Sequence, residues 1–222
     1  MVRSSIHLIT LAFPWWLRRW LLVKLLGYKI HPTANIGLAW VLPTELVMEA
    51  NSKIGNFTVC KGMDLLHLKE YASIGKGNWI SGYSARKKEH YSRQHARSSK
   101  LVLGEHAAIT HRHLIDCTDS VGIGKFSIIA GYRTQILTHG IDFLRSVQTA
   151  APVSIGDYCF VGTGCVILGG GGLPNYSVLG AMALLNRVLT QQSYLYGGIP
   201  AKPIKMISQE SAYFARSQGL VI

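Results

Sequence analysis

The chain has 222 residues, of which 48% are hydrophobic and 15% are charged. A chain of this length can bury a sizeable core in one domain, and its mean hydropathy of +0.20 excludes an intrinsically disordered protein. The 23 Lys and Arg residues outnumber 11 Asp and Glu residues, so the formal net charge is +12. This surplus predicts an anionic partner, which could be nucleic acid, a membrane surface, an acidic glycan or a phosphorylated cofactor.

The four cysteines, Cys60, Cys117, Cys159 and Cys165, are not spaced as a metal-binding or disulfide framework. We therefore expect reduced, mostly buried thiols in a cytosolic protein. No stretch of 18 residues is both apolar and uncharged, so the sequence predicts no transmembrane helix.

Residues 15–26, WWLRRWLLVKLL, predict a helix that ends near Gly27. Its tryptophans share a stripe with apolar residues, and three basic residues leave room for a polar face. The basic residues are Arg18, Arg19 and Lys24. Such a helix can lie in a membrane interface or cap the open end of the following domain, and the cap is favoured. We expect a cytoplasmic protein, held peripherally at the inner face of the membrane if the first interpretation holds.

From Ile30 onward, the helical spacing gives way to a period of six residues. Apolar residues recur at this step in two series. The first is Ile30, Ile36, Leu42, Met48 and Ile54, and the second is Ile155, Val161, Ile167, Leu173, Leu179 and Leu185. Aliphatic–Gly pairs such as Ile36-Gly37 and Ile54-Gly55 recur at separations of 18 or 20 residues. Three hexapeptides close one triangular coil, so the sequence predicts an all-β protein built as a parallel β-helix.

These patterns divide the chain into three segments. Residues 1–29 form an N-terminal amphipathic helical segment, residues 30–205 the β-helix, and residues 206–222 a C-terminal tail with a short helix over 207–217. Two stretches without the repeat, 82–100 and 139–153, should leave the coils as loops. The first is strongly basic, and it is either a solvated excursion or a functional loop.

Three segments together resemble the hexapeptide-repeat acyltransferases. They are THGID at 138–142, PVSIGDYCFVGTGCVILGGGGLPNYSVLGAMALL at 152–185 and GGIPAKPIK at 197–205. The similarity is strongest to the branch of maltose, galactoside and nodulation-factor acetyltransferases and the sugar O-acetyltransferases of polysaccharide biosynthesis. The resemblance extends over about residues 30–205. It implies a left-handed β-helix, a homotrimer, and acyl-CoA bound between neighbouring subunits.

The resemblance also implies that His139, within THGID, is the general base. A sugar hydroxyl is protonated at neutral pH, and an imidazole titrates close enough to neutrality to accept its proton. Such a base needs a partner on its other ring nitrogen. Asp116 and Asp142 are the acidic candidates and a backbone carbonyl is the alternative, and the sequence does not choose among them.

By the same resemblance, a further set of residues would hold acetyl-CoA as the co-substrate. It consists of Phe160, Gly162, Thr163 and Ala181 along the pantetheine arm, and Arg187, Lys202 and Lys205 near the phosphates. One of Thr110, His111 and His113 would contact the acceptor. Backbone N–H groups near residues 162–164 would stabilise the oxyanion of the tetrahedral intermediate.

Together, these expectations describe an acetyl-CoA-dependent O-acetyltransferase that modifies a sugar, glycan or glycolipid by direct transfer and without a metal. Two alternatives are a zinc enzyme like the β-helical carbonic anhydrases, with His67, His106 and His111 as ligands, and a non-catalytic hexapeptide scaffold. Nucleic acid is the least favoured partner, because the sequence has no nucleic-acid-binding motif.

Overall fold

The computed structural model describes residues 2–87, 89–91, 93–94 and 96–219. Short strands wind into triangular coils, and their stacking produces three sheets that form the faces of a prism. Three helices lie outside the prism: α1 (Val2–Thr10), α2 (Trp15–Leu26) and α3 (Ala212–Ala215).

The strands of each sheet lie side by side in the order of their coils. Sheet A contains β1 (Lys29–Ile30), β4 (Glu45–Met48), β7 (Leu65–Leu68), β10 (Lys100–Leu103), β13 (Val121–Ile123), β18 (Val153–Ile155) and β21 (Gly172–Leu173). Sheet B contains β2 (Asn35–Ile36), β5 (Lys53–Ile54), β8 (Ser73–Ile74), β11 (Ala108–Ile109), β14 (Ile128–Ile129), β19 (Phe160–Val161), β22 (Val178–Leu179), β24 (Tyr194–Gly197) and β25 (Lys202–Met206). Sheet C contains β23 (Leu184–Leu185), β20 (Val166–Leu168), β15 (Gln135–Leu137), β12 (Leu114–Asp116), β9 (Trp79–Ser81), β6 (Val59–Lys61) and β3 (Trp40–Leu42). A separate antiparallel hairpin is formed by β16 (His139–Asp142) and β17 (Val147–Ala150).

Each coil contributes one strand to sheets A, B and C in turn, and seven coils are stacked in parallel register. Ile109, for example, pairs with Ile74 of the preceding coil and Ile129 of the following one. All three side chains are buried inside the prism. Residues at equivalent positions therefore form ladders, and the predicted fold class, a left-handed parallel β-helix with terminal helices and an ejected basic loop, is confirmed.

The hexapeptide register is regular at the C-terminal end and shifts by one residue in the first coil. The six apolar residues of the second predicted series are all buried. In the first coil, Val41 is buried, whereas the predicted Leu42 is only half-buried. The next inward residue, Val41, follows Ile36 after five positions instead of six, so the prediction for Leu42 is wrong by one position.

Both loops leave the prism at the corner between sheets C and A. The basic loop follows β9 and occupies residues 82–99, since Lys100 already belongs to β10. The β16–β17 hairpin leaves two coils later, after β15. The two loops are in contact, because the N–H of Ala150 donates to Oε1 of Gln94 at 2.7 Å.

The N-terminal helices close the open end of the prism. The first coil has no preceding coil to bond its outward backbone groups, so side chains from α1 and α2 do so. The buried guanidinium of Arg18 donates to three carbonyl oxygens, those of Ile36 (3.3 Å), Gly37 (2.7 Å) and Ala39 (3.0 Å). Arg19 donates to the carbonyl of Ile30 at 2.7 Å, and Nε2 of His7 accepts from the N–H of Val41 at 3.3 Å. Arg18 and Arg19 thus face the prism and do not form the outer basic face expected from the sequence.

The N-terminal helical segment also contains a second helix, since α1 precedes the predicted helix and is separated from it by a turn that ends at Pro14. Among the described residues, no helix is long and apolar enough to cross a membrane.

The C-terminal segment returns along the corner between sheets A and B. Aromatic rings of successive coils are stacked there with centroids 4.7–5.4 Å apart. The rings belong to Tyr71, His106, Phe126, Tyr158 and Tyr176. Helix α3 is shorter than the predicted 207–217, because the backbone becomes extended at Arg216. This places the Arg216 guanidinium over the ring of Tyr213, 3.7 Å from its centroid, and lets it donate to the Phe126 carbonyl.

Candidate active site

His139 lies at the corner between sheets C and A, where it begins the β16–β17 hairpin. Its Nδ1 is 2.9 Å from Oδ2 of Asp116. Asp116 ends β12 in the preceding coil, and it pairs in register with Leu137 at the end of β15. Parallel stacking therefore brings together an acid and an imidazole that are 23 positions apart in sequence.

The Asp116 carboxylate is buried among hydrogen-bond donors. Oδ1 accepts from the Thr118 hydroxyl at 2.7 Å, and Oδ2 accepts from the Thr138 hydroxyl at 2.5 Å and from two backbone N–H groups. Burial raises the pKa of Asp116, but hydrogen bonds from Thr138, Thr118 and His139 outweigh it, and the net effect lowers the pKa. An ionised carboxylate only accepts, so Nδ1 of His139 donates to Asp116, and Nε2 is the ring nitrogen on the far side from this contact.

Asp142, the other acidic candidate, makes its contacts within the hairpin. Its Oδ1 accepts from the N–H groups of Leu144 (3.0 Å) and Arg145 (3.1 Å), and its Oδ2 lies 3.6 Å from the Arg145 guanidinium. These contacts close the hairpin turn. The structure therefore places Asp116, and not Asp142, against the imidazole of His139.

His139 lines a cleft of about 300 Å³ whose opposite wall is formed by the basic loop. The loop contributes Tyr83, His90 and Tyr91, and the hairpin contributes Gln148. The His139 side chain is 46% exposed, and its Nε2 has no hydrogen-bond partner within the described part of the chain. The sequence does not identify these tyrosines as site residues, because the loop has no repeat from which their positions can be predicted. Its positive charge is the only feature that suggests a function.

Arg97 holds the basic loop against the coils. Its buried guanidinium donates to the carbonyl oxygens of Tyr83, Ser84 (2.8 Å) and Thr118 (2.6 Å). It also lies 4.5 Å from the centroid of the Tyr91 ring, in a cation–π contact. Thr118 is hydrogen-bonded to Asp116, so the same short segment anchors both the loop and the imidazole's partner.

Three of the four residues expected along the pantetheine arm, Gly162, Thr163 and Ala181, lie at another corner, between sheets B and C. Thr163 and Ala181 are exposed there and occupy equivalent positions in consecutive coils. Gly162 permits close stacking, because a Cβ on it would lie 2.7 Å from the backbone nitrogen of Ala181. The N–H of Gly162 donates to the carbonyl oxygen of Leu179. The N–H of Thr163 bonds no described residue and is available to an oxyanion.

The other residues expected to bind CoA are more widely spread. Phe160 lies on sheet B, with its ring edge-on to Tyr213 at 6.1 Å. Lys202 and Lys205 are exposed on β25, at the C-terminal edge of the same sheet. Arg187 is exposed but follows β23 at the end of sheet C. In one chain, only the two lysines share a face with Phe160.

Of the three residues expected to contact the acceptor, only His111 is exposed. Nδ1 of His113 accepts from the Thr134 N–H at 3.1 Å, and its Nε2 lies 3.0 Å from the Thr110 hydroxyl. Burial, helped by the nearby His111, lowers the pKa of His113 to about 4, so it is neutral. Thr110 in turn bonds the Gly131 carbonyl at 2.8 Å. Thr110 and His113 thus stabilise the corner, and His111 lies on the same corner as Thr163.

The histidines of the zinc alternative lie far apart around the prism. His67 is on sheet A and bonds Glu49 at 2.7 Å, and His106 is stacked between Tyr71 and Phe126. His111 is at the corner between sheets B and C. Within the described ranges, no three His, Cys, Asp or Glu residues are grouped to hold a metal.

No family model matches the sequence, and no curated protein matches it. Solved structures do share the fold. The polysialic acid O-acetyltransferase OatWY is 17% identical with a TM-score of 0.63, over 86% of this chain and 90% of that one. A hexapeptide-repeat acetyltransferase from Vibrio cholerae, complexed with acetyl-CoA, is 16% identical with a TM-score of 0.54, over 92% and 84%. A maltose O-acetyltransferase from Clostridium difficile 630 is 14% identical with a TM-score of 0.52, over 92% and 83%. The chain therefore has the fold of the hexapeptide-repeat acetyltransferases.

Proposed function

We propose that this protein is an acetyl-CoA-dependent O-acetyltransferase that acts on a hydroxyl of a sugar, glycan or glycolipid. The observation that carries the proposal is the contact between His139 Nδ1 and Asp116, which orients the imidazole at the wall of a cleft. The similar structures support the substrate classes, since they include sugar O-acetyltransferases and an acetyl-CoA complex.

In the proposed reaction, His139 in its neutral form is the general base. Nε2 accepts the proton of the acceptor hydroxyl as the oxygen attacks the thioester carbonyl of acetyl-CoA. The tetrahedral intermediate then collapses, the carbon–sulfur bond breaks, and the CoA thiolate takes the proton from the imidazolium. Asp116 remains ionised throughout and stabilises the imidazolium.

Direct transfer, without an acyl-enzyme, is supported by the state of the thiols. All four cysteines are free and buried. Burial raises the pKa of Cys60 and of Cys159 to about 12, so neither is a thiolate at neutral pH. We expect sequential kinetics, and ping-pong kinetics with a trapped acyl-cysteine would contradict this step. Free thiols also suit a reducing compartment, and we propose a cytoplasmic location.

A site that joins His139 to the expected CoA residues requires two chains. His139 lies at the corner between sheets C and A, whereas Thr163 and Ala181 lie at the corner between sheets B and C. In one chain, a whole face of the prism separates them. We therefore propose a homotrimer in which the His139 corner of one subunit faces the Thr163 corner of its neighbour.

Mixed oligomers test the two-chain site. His139→Ala removes the base, and Ala181→Trp fills the neighbouring corner. Refolding the two inactive variants together should restore about a quarter of the wild-type sites, because each site draws its two corners at random from the two variants. No recovery in verified mixed oligomers would place the whole site in one chain.

The activity is tested by mass spectrometry of a glycan panel incubated with acetyl-CoA. We expect a mass increase of one acetyl group on a hydroxyl, with turnover reduced about 10²–10⁴-fold in His139→Ala. His31→Ala is the matched control, because His31 is exposed in the first coil, far from the cleft. Equal turnover in His139→Ala and the wild type would refute the role of His139, and failure to bind CoA would favour the non-catalytic scaffold.

A further inference from the structure

The two N-terminal helices bury polar side chains toward the prism and expose large apolar side chains, which an ordinary surface helix does not do. His7 and Arg18 are 0% and 3% exposed, whereas Ile9 and Trp16 are 62% and 71% exposed. The inward polarity is explained by the open end of the prism, whose backbone groups need side-chain partners. The outward apolarity has no such explanation within the chain.

We call the large apolar side chains that the two helices and their connecting turn expose the helix outer face. It consists of Leu8 and Ile9 of α1, Phe13 of the turn, and Trp16 and Trp20 of α2. Trp16, Trp20 and Lys24 are spaced four residues apart, so they share one stripe of α2. Arg18 and Leu22, which are buried, lie on the opposite side of the helix.

In the sequence that forms the two helices and the first coil up to Thr44, every charged residue is basic. The first acidic residue in the sequence is Glu45, and five Lys and Arg residues precede it. Arg18 and Arg19 are engaged in the cap and Arg3 donates to the Thr44 carbonyl at 2.8 Å, which leaves Lys24 and Lys29 as the exposed lysines at this end of the prism. Tryptophan flanked by lysine is the composition that binds at the headgroup level of a bilayer.

We propose that the helix outer face docks on a bilayer that contains anionic lipid. Trp16, Trp20 and Phe13 enter the interfacial region, while Lys24 and Lys29 contact lipid phosphates. The rings lie in the interface without spanning the membrane. The His139 cleft would then stand about 20 Å beyond the first coil, at a spacing of about 4.8 Å per coil, and the helices, about 10 Å thick, add to its height above the bilayer. This inference does not depend on the proposed acetyl transfer.

Vesicle flotation of the full chain tests the proposal. One set of vesicles contains phosphatidylcholine alone, and the other also contains about 30% phosphatidylglycerol; no substrate is present. We expect binding to the anionic vesicles, a blue shift of tryptophan fluorescence on binding, and weakening by salt. Lack of binding to anionic vesicles at low salt would overturn the proposal.

Two variants separate the apolar and the charge contributions. Trp16→Ser with Trp20→Ser should weaken binding at least about 10-fold, and Lys24→Glu with Lys29→Glu should weaken binding to anionic vesicles by about 10-fold or more. Phe143→Ser is the matched control, because Phe143 is an exposed aromatic at the hairpin, on another part of the surface, and its loss should leave binding unchanged. All these side chains are exposed, and near-ultraviolet circular dichroism checks that each variant is folded.

The competing occupant is a second copy of the chain. If the tryptophan variant lowered the molecular mass in gel filtration while wild-type protein ignored both kinds of vesicle, the helix outer face would be a protein interface and the membrane proposal would be wrong. Unchanged vesicle binding in the folded tryptophan variant would refute it as well.

Discussion

Replacing Asp116 by Asn removes one charge from the His139 contact with little change in shape. Oδ2 faces four donors, namely the hydroxyl and N–H of Thr138 and the N–H and Nδ1 of His139, whereas Oδ1 faces Thr118. The amide nitrogen is therefore best accommodated at the Oδ1 position, where the Thr118 hydroxyl can turn to accept from it. The contact to Nδ1 is kept, but the imidazolium that forms during transfer loses its counter-charge.

The size of this loss can be worked out from the contact distance. Nδ1 and Oδ2 are 2.9 Å apart, and the centres of the two charged groups are about 4 Å apart. At an effective dielectric constant of about 20, the attraction is about 4 kcal/mol. Since about 1.4 kcal/mol corresponds to a tenfold change in rate, we expect turnover to fall about 10³-fold.

The assay is release of the CoA thiol with the acceptor identified from the glycan panel. The loss should be in kcat, with the KM for acetyl-CoA within about threefold, because Asp116 is expected to act through His139 and lies at another corner from Thr163 and Ala181. Asp142→Asn is the matched control and should stay within about twofold of wild type. The ¹⁵N shifts of His139 should show the proton on Nδ1 in the wild type. A folded Asp116→Asn variant that keeps a tenth of wild-type turnover, or an equal loss in Asp142→Asn, would refute the assignment.

Three further predictions concern the structure around the site. Arg97→Met should unpair the carbonyls of Tyr83, Ser84 and Thr118, lower the free energy of unfolding by about 2–4 kcal/mol in urea titrations, and expose residues 82–99 to proteolysis; an unchanged cleavage pattern would contradict the anchoring role. Arg18→Ala should cost a similar about 2–4 kcal/mol, because it leaves three carbonyls of the first coil without donors, whereas Lys24→Ala should cost less than about 0.5 kcal/mol. Stability should also fall as the pH drops from 6.5 to 4. Burial lowers the pKa of His7 and of His113 to about 4, helped by Arg18 near His7 and by His111 near His113. The unfolded chain therefore takes up protons on these histidines at a higher pH than the folded chain does. A shift of that size corresponds to about 3 kcal/mol for each group, and urea titrations of His7→Gln and His113→Gln should show a smaller decline over this range than the wild type.

The repeat was readable because a β-helix places equivalent residues at a fixed step, and an error such as that at Leu42 comes from a single shortened corner. The partner of His139 cannot be predicted from the sequence, because the register between neighbouring coils is what brings Asp116 beside it. Asp142 is nearer in sequence but lies within the hairpin. The prediction of an outer polar face is wrong for Arg18 and Arg19, though not for Lys24, for a related reason. Amphipathic patterning assumes a solvated polar face, whereas Arg18 bonds the unpaired carbonyls of a sheet edge.

The C-terminal tail fastens together coils that would otherwise hold only their immediate neighbours. Successive contacts run from Phe214 on Tyr176, through the Tyr213 hydroxyl on the Cys159 carbonyl and Arg216 on the Phe126 carbonyl, to the Gly219 N–H on His106. These partners belong to four consecutive coils, the fourth to the seventh. A stack of repeats normally frays one unit at a time, but this strap should make the four coils open as a single cooperative block. Because every residue of the proposed catalytic centre except those of the basic loop belongs to that block or its hairpin, the first three coils can loosen without disturbing the contact between Asp116 and His139.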